Sequence, residues 1–440
     1  MAFRMGLESP ILNTIPPDDL FEVLGTLPAQ PLVSSEEWES IKNYYAVNAP
    51  DTLIVAPPSV ADTVRQFTAE PYTLLSFPLT TLITADTIDH KIYIGSRSSK
   101  LFRFDNNLVV EDSFELTSPP SHIRLSPNGD PMLSLMGIMD PNDQPRGSMA
   151  TLSQDEHKTT TIIDSLKRPV FFEIADLDDD GLEDFVVCAF GNYSGNLVAY
   201  RNMGNAGYKK YVLQNAPGSR KVIIRDIDNN GKLDILVLMS QGDEKIMAIL
   251  NQGDFRFRAN TLLQFPPVYG SSYFDLADFN DDGKFDILYT NGDNADYSII
   301  LKPYHGVRIF LNNGNNEFQE SWFYNMHGAS QATARDFDDD GDLDIVAISF
   351  FPDFARSSRE GFLYFENNDG SFFPQTIPLA NAGRWLTMET ADIDLDGDTD
   401  VLLGALDFND GVPASLVEEW KRGNVTVMVL RNQMERKTLP

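Results

Sequence analysis

The chain has 440 residues, yet it contains one cysteine, five histidines and only 34 basic residues against 65 acidic ones. A single cysteine excludes a disulfide framework, a cysteine-based zinc site and covalent haem attachment through C-x-x-C-H. No run of about 18 apolar residues occurs, so no segment reads as a membrane-spanning helix. The net charge of −31 repels nucleic acid and anionic membranes and suits a chain that holds cations. The opening MAFRMGLESPIL lacks a basic region followed by an apolar one, so it is not a secretory signal as it stands. G-x-S-x-G, H-E-x-x-H, a Walker loop and G-x-G-x-x-G are all missing. Apolar residues make up 42%, enough for a packed core. The length allows two or three domains, or one large repeat domain.

What the chain does have is a repeat. The pattern D-x-[DN]-x-[DN]-G-x-x-D occupies 176–184, 226–234, 278–286, 336–344 and 392–400. The copies start 50, 52, 58 and 56 residues apart. By average residue usage, one copy arises by chance in roughly one chain of several hundred. Each copy follows an extended apolar segment, such as 170–174 or 272–276. A short apolar, largely β-branched run comes next: 185–189, 235–238, 287–289, 345–348 and 401–403. Such runs read as strands buried on both faces. A third strand comes after it, and in three copies it ends in an Asn/Asp/Gly turn (251–253, 312–314, 367–370) before a fourth segment opens near Phe255, Phe318 and Phe372.

Four strands per unit of about 52 residues predict an all-β fold, a seven-bladed β-propeller of four-stranded blades with a short helical N-terminal extension. Two blades lie upstream of the first motif. One has Arg124, Asn128 and Gly129 where a loop stripped of its carboxylates would be, and the other has strands at 82–85, 91–94, 101–104 and 112–116. Residues 64–68 are expected to supply the missing outer strand of the last blade, because an open edge invites aggregation. The domain division is 1–63 for the extension and Pro-rich linker (Pro50, Pro57, Pro58), 64–432 for the propeller and 433–440 for a tail. Within the extension, Ser34 and Glu37 form a capping box, and Trp38, Ile41, Tyr44 and Tyr45 follow at helical spacing, a stripe expected to dock on the ring.

Alternate Asp and Asn side chains converge on one point, and the glycine at position six supplies the bend. Hard oxygen donors without His or Cys select Ca²⁺. The expected ligands are Asp176, Asp178, Asp180, Leu182 and Asp184; Asp226, Asp228, Asn230, Lys232 and Asp234; Asp278, Asn280, Asp282, Lys284 and Asp286; Asp336, Asp338, Asp340, Asp342 and Asp344; and Asp392, Asp394, Asp396, Asp398 and Asp400. Leu182, Lys232 and Lys284 contribute carbonyls only. An EF-hand needs Glu at position twelve, where this chain has Val187, Val237, Tyr289, Ala347 and Leu403. The loops therefore close β-hairpins and hold about five Ca²⁺ in a structural role. The competing reading is that Asp, Asn and Gly merely make turns. Three or four carboxylates within nine residues repel one another without a cation, which favours metal. Asn230 and Asn280 should weaken copies two and three.

Antiparallel strands put the acidic loops on one face and the longer connections on the other. The insertions at 293–305, 351–360 and 407–422 all fall on the second face, in the last three blades. Insertions gathered on one face suggest a binding surface. Its expected ligand-binding residues are Asn192, Tyr193, Asp293, Asn294, Asp296, Tyr297, Lys302, Tyr304, His305, Asp353, Arg384 and Trp385, with Asp243, Arg356, Tyr269, His327 and Asp407 beside them. Aromatic rings beside Asp, Asn and Arg suit a polysaccharide or protein ligand. Loops that only cap the ring are the alternative. For Trp385 and Cys188, core packing is the plainer expectation.

The five loops resemble FG-GAP/VCBS repeats, whose integrin α-chain relatives carry calcium loops in a seven-bladed propeller. GNYSGNLVAYRN (191–202), PPVYGSSYFDLADFNDDGKFDILYTNGDNADYSIILKPYHGVRIFLN (266–312) and GRWLTMETADIDLDGDTDVLLG (383–404) resemble envelope proteins of Bacteroidetes- or Planctomycetes-type bacteria. Those often place a cytochrome c module before the propeller. LVSSEEWESIKNYYAVNAP (32–50) is similar to the last helix of that module, and FRMG (3–6), with Met5, to its haem-ligand region. Without C-x-x-C-H, no haem is expected in this chain. The resemblance implies a non-catalytic, calcium-binding interaction module in the periplasm, at the cell surface or secreted, with a cytochrome or envelope complex as a further partner. The alternative is a sugar-active or redox enzyme working with a cytochrome.

Overall fold

The computed structural model of the protein describes residues 27–49, 64–126, 129–293 and 300–433. Met5, the prolines at 50, 57 and 58, Asn128, Asn294, Asp296 and Tyr297 lie outside the described residues. Seven four-stranded antiparallel sheets form the seven blades of a propeller. Blades one to six span 80–115, 120–166, 169–214, 219–264, 271–325 and 329–375, and blade seven spans 385–432. In each of the first six, the strands follow one another across the sheet in chain order. The first strands pack against one another and so surround the axis.

The second strand of blades three to seven is buried along its whole length, for instance Asp184–Ala189 and Asp344–Ser349. Alternate residues serve different neighbours. Val186 and Cys188 pack with Val222 and Ile235 of blade four, whereas Phe185 and Val187 pack with Met149 and Ile163 of blade two. The seven apolar clusters each straddle one of the seven blade interfaces. There is thus no single core, and every blade depends on both neighbours. Cys188 belongs to this packing, and burial holds its thiol far above the ordinary range.

Every blade carries the same irregularity. The first strand slips register after its first residue, as at Pro169/Phe171, Ser271/Tyr273 and Trp385/Thr387. The bulged residue is free to tie the next blade. Thr81 Oγ1 donates to Pro120 O at 2.8 Å, Ser121 Oγ to Pro169 O at 2.9 Å and Ser272 Oγ to Ala329 O at 2.8 Å. These bonds form part of a belt around the axis.

The ring closes through an N-terminal strand, but not quite the one expected. Phe67–Tyr72 pairs with Val427–Asn432, from Phe67 opposite Asn432 to Tyr72 opposite Val427. Only two residues of the expected 64–68 take part. Val64 turns aside instead, donating its N–H to Thr376 O of blade six at 2.8 Å. Helix α1, Ser35–Asn48, begins at the expected capping box, with Glu37 N 3.2 Å from Ser34 Oγ and Ser34 N 2.7 Å from Glu37 Oε2. None of its residues is buried, so its aromatic stripe does not dock as expected. Amphipathic spacing marks a face without naming its partner.

Phe67 is buried against Phe337, Phe362 and Tyr364 of blade six, with ring centroids 5.5, 6.5 and 5.5 Å away. Phe67→Ala is expected to cost about 3–5 kcal/mol in urea unfolding. It should also expose the edge of the last strand and raise aggregation on heating; an unchanged midpoint would remove the closing strand from the ring's stability.

Candidate metal centres and the opposite face

The five acidic loops share one backbone. Position four is left-handed in each (Asp179, Asn229, Asp281, Asp339, Leu395), with φ between 54° and 66°. The glycine at position six has φ between 79° and 100°, where a side chain would be strained. In the first loop, Asp176 accepts the N–H of Asp180 on Oδ1 at 3.1 Å and that of Gly181 on Oδ2 at 2.7 Å. Asp180 Oδ1 accepts Leu182 N at 3.0 Å. The other four loops repeat all three bonds.

The ninth position is the anchor. Asp184 is fully buried and accepts Leu177 N at 3.0 Å and Asn202 N at 2.7 Å. Asp234, Asp286, Asp344 and Asp400 accept the same pair of bonds, from position two of their own loop and from the asparagine ending strand three. That asparagine's Nδ2 reaches the carbonyl before the ninth Asp, as Asn251 does to Leu233 O at 3.1 Å. Asn251 also donates to Leu177 O of the preceding blade at 2.6 Å, which links neighbouring loops.

Backbone N–H groups thus take both oxygens of positions one and nine and one oxygen of position five, and the remaining lone pairs of these carboxylates and of position three are what an ion could use. Oxygens of Asp176, Asp178 and Asp184 lie within 4.8 Å of one another. So do those of Asp226, Asp228 and Asp234, of Asp336, Asp338 and Asp344, and of Asp392, Asp394 and Asp396. Asp178 Oδ1 and Asp398 Oδ1 are buried without a hydrogen-bond partner among the described residues. Burial, reinforced by Asp396 and Asp400, pushes Asp398 up to about 7, and burial does the same to Asp344. Desolvated, crowded carboxylate oxygens without His or Cys fit Ca²⁺, which would supply the missing charge.

The opposite face carries the connections from strand two to three and from one blade to the next. Two cavities of about 400 and 290 Å³ open there. The larger lies under helix α2, Ala414–Gly423, between Phe77, Arg384, Leu406, Asp407, Val417 and Trp420. The smaller is lined by His305, His327, Phe351, Asp353, Arg356 and Arg384. Of the expected ligand residues, His305, Asp353 and Arg384 come together here. Lys302 is buried close by, its Nζ 3.3 Å from Ile300 O. Tyr304 stacks on Tyr269 at 5.4 Å, and Asp293 lies 3.7 Å from Arg220 Nη1.

Asn192 and Tyr193 are engaged elsewhere. Their N–H groups, with that of Ser194, surround the carboxylate of Asp143 at 2.8–3.1 Å. Asp143 sits on a long connection of blade two, so the insertions are not confined to the last three blades as expected. Trp385 is fully buried and donates Nε1 to Ala380 O at 2.7 Å, which makes it core and not surface.

Sequence reading missed the axis. His122 stacks on Phe171 at 4.0 Å, Arg124 pairs with Glu173, and Lys221 Nζ lies 3.8 Å from the Tyr273 ring centre and 3.7 Å from Asp275 Oδ1. Burial pushes Glu389 up to about 7. The available signal was polar residues at the third and fifth positions of strand one, where a strand covered on both faces would be apolar.

Residues 176–237, 226–289, 290–347 and 336–403 match the FG-GAP-like repeat, together just over half of the chain. The chain belongs to the FG-GAP-like repeat family. No curated protein matches its sequence. Among solved structures, the Myceliophteria thermophila Cps50 (Swd1) β-propeller domain is 9% identical with a TM-score of 0.49, and the likeness covers 82% of this chain and 99% of that one. BBS1N in complex with ARL6DN is 11% identical with a TM-score of 0.49, covering 86% and 99%. Likenesses of that size decide nothing about this chain.

The five FG-GAP-like loops are not equivalent. The residue before the strand-three asparagine is Arg201 in the first and Arg431 in the last. Arg201 touches Asp178, and Arg431 Nη1 lies 3.3 Å from Asp400 and 3.5 Å from Asp394. Lys284 binds Asp282 at 2.7 Å in the third. In the fourth loop, Glu366 takes the arginine's place, and no Lys or Arg pairs with its carboxylates among the described residues. The same holds of the second loop, which has fewer carboxylates, so the fourth would gain most from an ion.

Loop variants should separate the anchor from the ion. Asp344→Ala strands two buried N–H groups and removes a member of the acidic cluster, so it is expected to cost about 3 kcal/mol or more in EDTA and more again in calcium. Asp338→Asn and Asp340→Asn should remove calcium stabilisation, worth about 2.7 kcal/mol at a hundredfold excess over Kd, and be neutral or stabilising in EDTA. Equal losses in both conditions would make these aspartates turn residues only.

A pH series gives a second check. Because Asp344 and Asp398 rise to about 7 through burial, the metal-free fold binds their protons more tightly than the unfolded chain does. Their contribution is fully present below the unfolded value, about 4, and is lost as pH climbs through about 7. Calcium needs the same oxygens ionised. The gain in Tm on adding calcium should therefore shrink as pH falls from about 8 to about 5. A gain independent of pH would contradict this.

Proposed function

We propose that the protein is a calcium-stabilised interaction module that takes a polysaccharide or protein ligand on the face opposite its FG-GAP-like loops. One observation carries the reading: the two cavities open on that face, the smaller is walled by insertions of blades five to seven and the larger by that of blade seven, and they share Arg384. Cavities of about 300–1,000 Å³ with apolar walls and a few polar groups are the usual form of a ligand site. Phe77, 66% exposed, lies on the wall of the larger one and offers an aromatic surface to a sugar ring or an apolar side chain.

Calcium acts at a distance in this proposal. It holds the hairpins of blades three to seven, and those blades carry the face. Loops of this donor set fill at extracellular calcium levels and stay largely empty in the cytosol, which favours a place in the periplasm, at the cell surface or outside the cell. A cytochrome or envelope complex is a further candidate partner, resting on the resemblance of residues 3–6 and 32–50 to a cytochrome c module and of the propeller segments to envelope proteins.

The test is capture on glycan arrays and on isolated envelope proteins, with and without calcium. Phe77→Ser and Arg356→Glu, both surface changes, should weaken capture about tenfold, while Asp254→Lys on the other face should leave it unchanged. Capture indifferent to Phe77 and Arg356 but abolished by Asp254→Lys would move the ligand to the loop face.

A further inference from the structure

Arg384 is the residue that joins the two cavities, and the Asp410 carboxylate, which lines the smaller one, offsets only part of the cost of burying its charge. It is 2% exposed. Nε donates to Phe350 O at 2.7 Å, and Nη1 donates to Phe408 O at 2.6 Å and Asp410 O at 3.1 Å. The rings of Phe350, Phe351, Phe354 and Phe408 surround the guanidinium carbon at 4.4, 4.7, 5.2 and 4.7 Å. Nη2 has no hydrogen-bond partner, and no carboxylate forms an ion pair with this arginine among the described residues. Aromatic faces and carbonyls offset part of the cost of burying a cation, yet a donor left unmade costs more than one never present.

We propose that Arg384 pairs with a carboxylate of the ligand, and that the cleft takes an organic monocarboxylate whose apolar body lies in the larger cavity against Phe77, Leu406, Val417 and Trp420. This rests on the reading of that face as the ligand surface and names the chemistry it selects. With Nε and Nη1 held by carbonyls, the N–H groups of Nη2 are the ones left for a carboxylate oxygen, in a charge-assisted hydrogen bond. A single charge is what the surroundings tolerate, because Asp353, Asp407 and Asp410 line the same two cavities. Each further negative charge on a ligand would meet these carboxylates at short range, where salt screens little.

The probes are 3-phenylpropionate and its amide, titrated calorimetrically into the full chain with calcium, followed by Arg384→Gln and Arg384→Lys. The acid is expected to bind about ten- to a hundredfold more tightly than the amide. Arg384→Gln should abolish that preference, and Arg384→Lys should retain part of it. The acid–amide comparison on the unaltered protein stands even where a variant fails to fold. Equal affinities would overturn the carboxylate assignment and leave the binding face intact. A preference that survives Arg384→Gln in a normally melting protein would overturn the role of Arg384. Displacement of the acid by inorganic phosphate at lower concentration would overturn the choice of ligand. Absence of binding by either probe would overturn the inference at this cleft, while the capture experiment judges the face separately.

Discussion

A carboxylate withdrawn from water and held by two backbone N–H groups recurs at the root of every acidic loop. Asp184, Asp234, Asp286, Asp344 and Asp400 each bind the loop's second residue on one side and the end of strand three on the other. One side chain therefore fixes three strands. Breaking it would strand two donors in an interior without water, a larger loss than the bond itself is worth. The first Asp of each loop works the same way on a smaller scale, accepting two N–H groups of its own turn. The loop is shaped by its backbone, and the oxygens at positions three, five and seven are left crowded. An ion would relieve the crowding; it would not have to create the shape.

The wheel itself rests on something else. Blades one and two carry no acidic loop, yet they have the same four strands and the same register slip. In blade one, Asp86 makes an ordinary turn by accepting Ile88 N and Asp89 N at 3.0 Å. Apolar clusters at all seven interfaces, closed by Phe67–Tyr72, define the ring. The loops stiffen five of its blades. That division of labour leaves the opposite face free to vary, and the insertions, the helix Ala414–Gly423 and both cavities are found there.

Much of this was legible in the chain. The motif carried its own glycine, and the apolar run after each copy announced a strand covered on both sides, because a blade has two neighbours. Other features were silent. Leu395 adopts the left-handed position that Asp179, Asn229, Asp281 and Asp339 take in the other loops, and a leucine gives no warning of it. Arg201 and Arg431 lie 21 or more residues from the aspartates they meet in their loops, so only strand pairing reveals the contact. Trp385 stands among the expected ligand residues although core packing is the plainer expectation. The inner strand's first residue instead points into the interface between blades six and seven.

By itself the sequence determined the repeat, the blade count and the acidic clusters, because each is local: a turn, an alternation or a donor set contained within about ten to fifty residues. Tertiary structure alone decided which cations stand beside which loop, which arginine is left with an unmade bond, and which polar groups meet around the axis. Those depend on side chains from different blades arriving at one point, and no spacing along the chain encodes a distance across a ring.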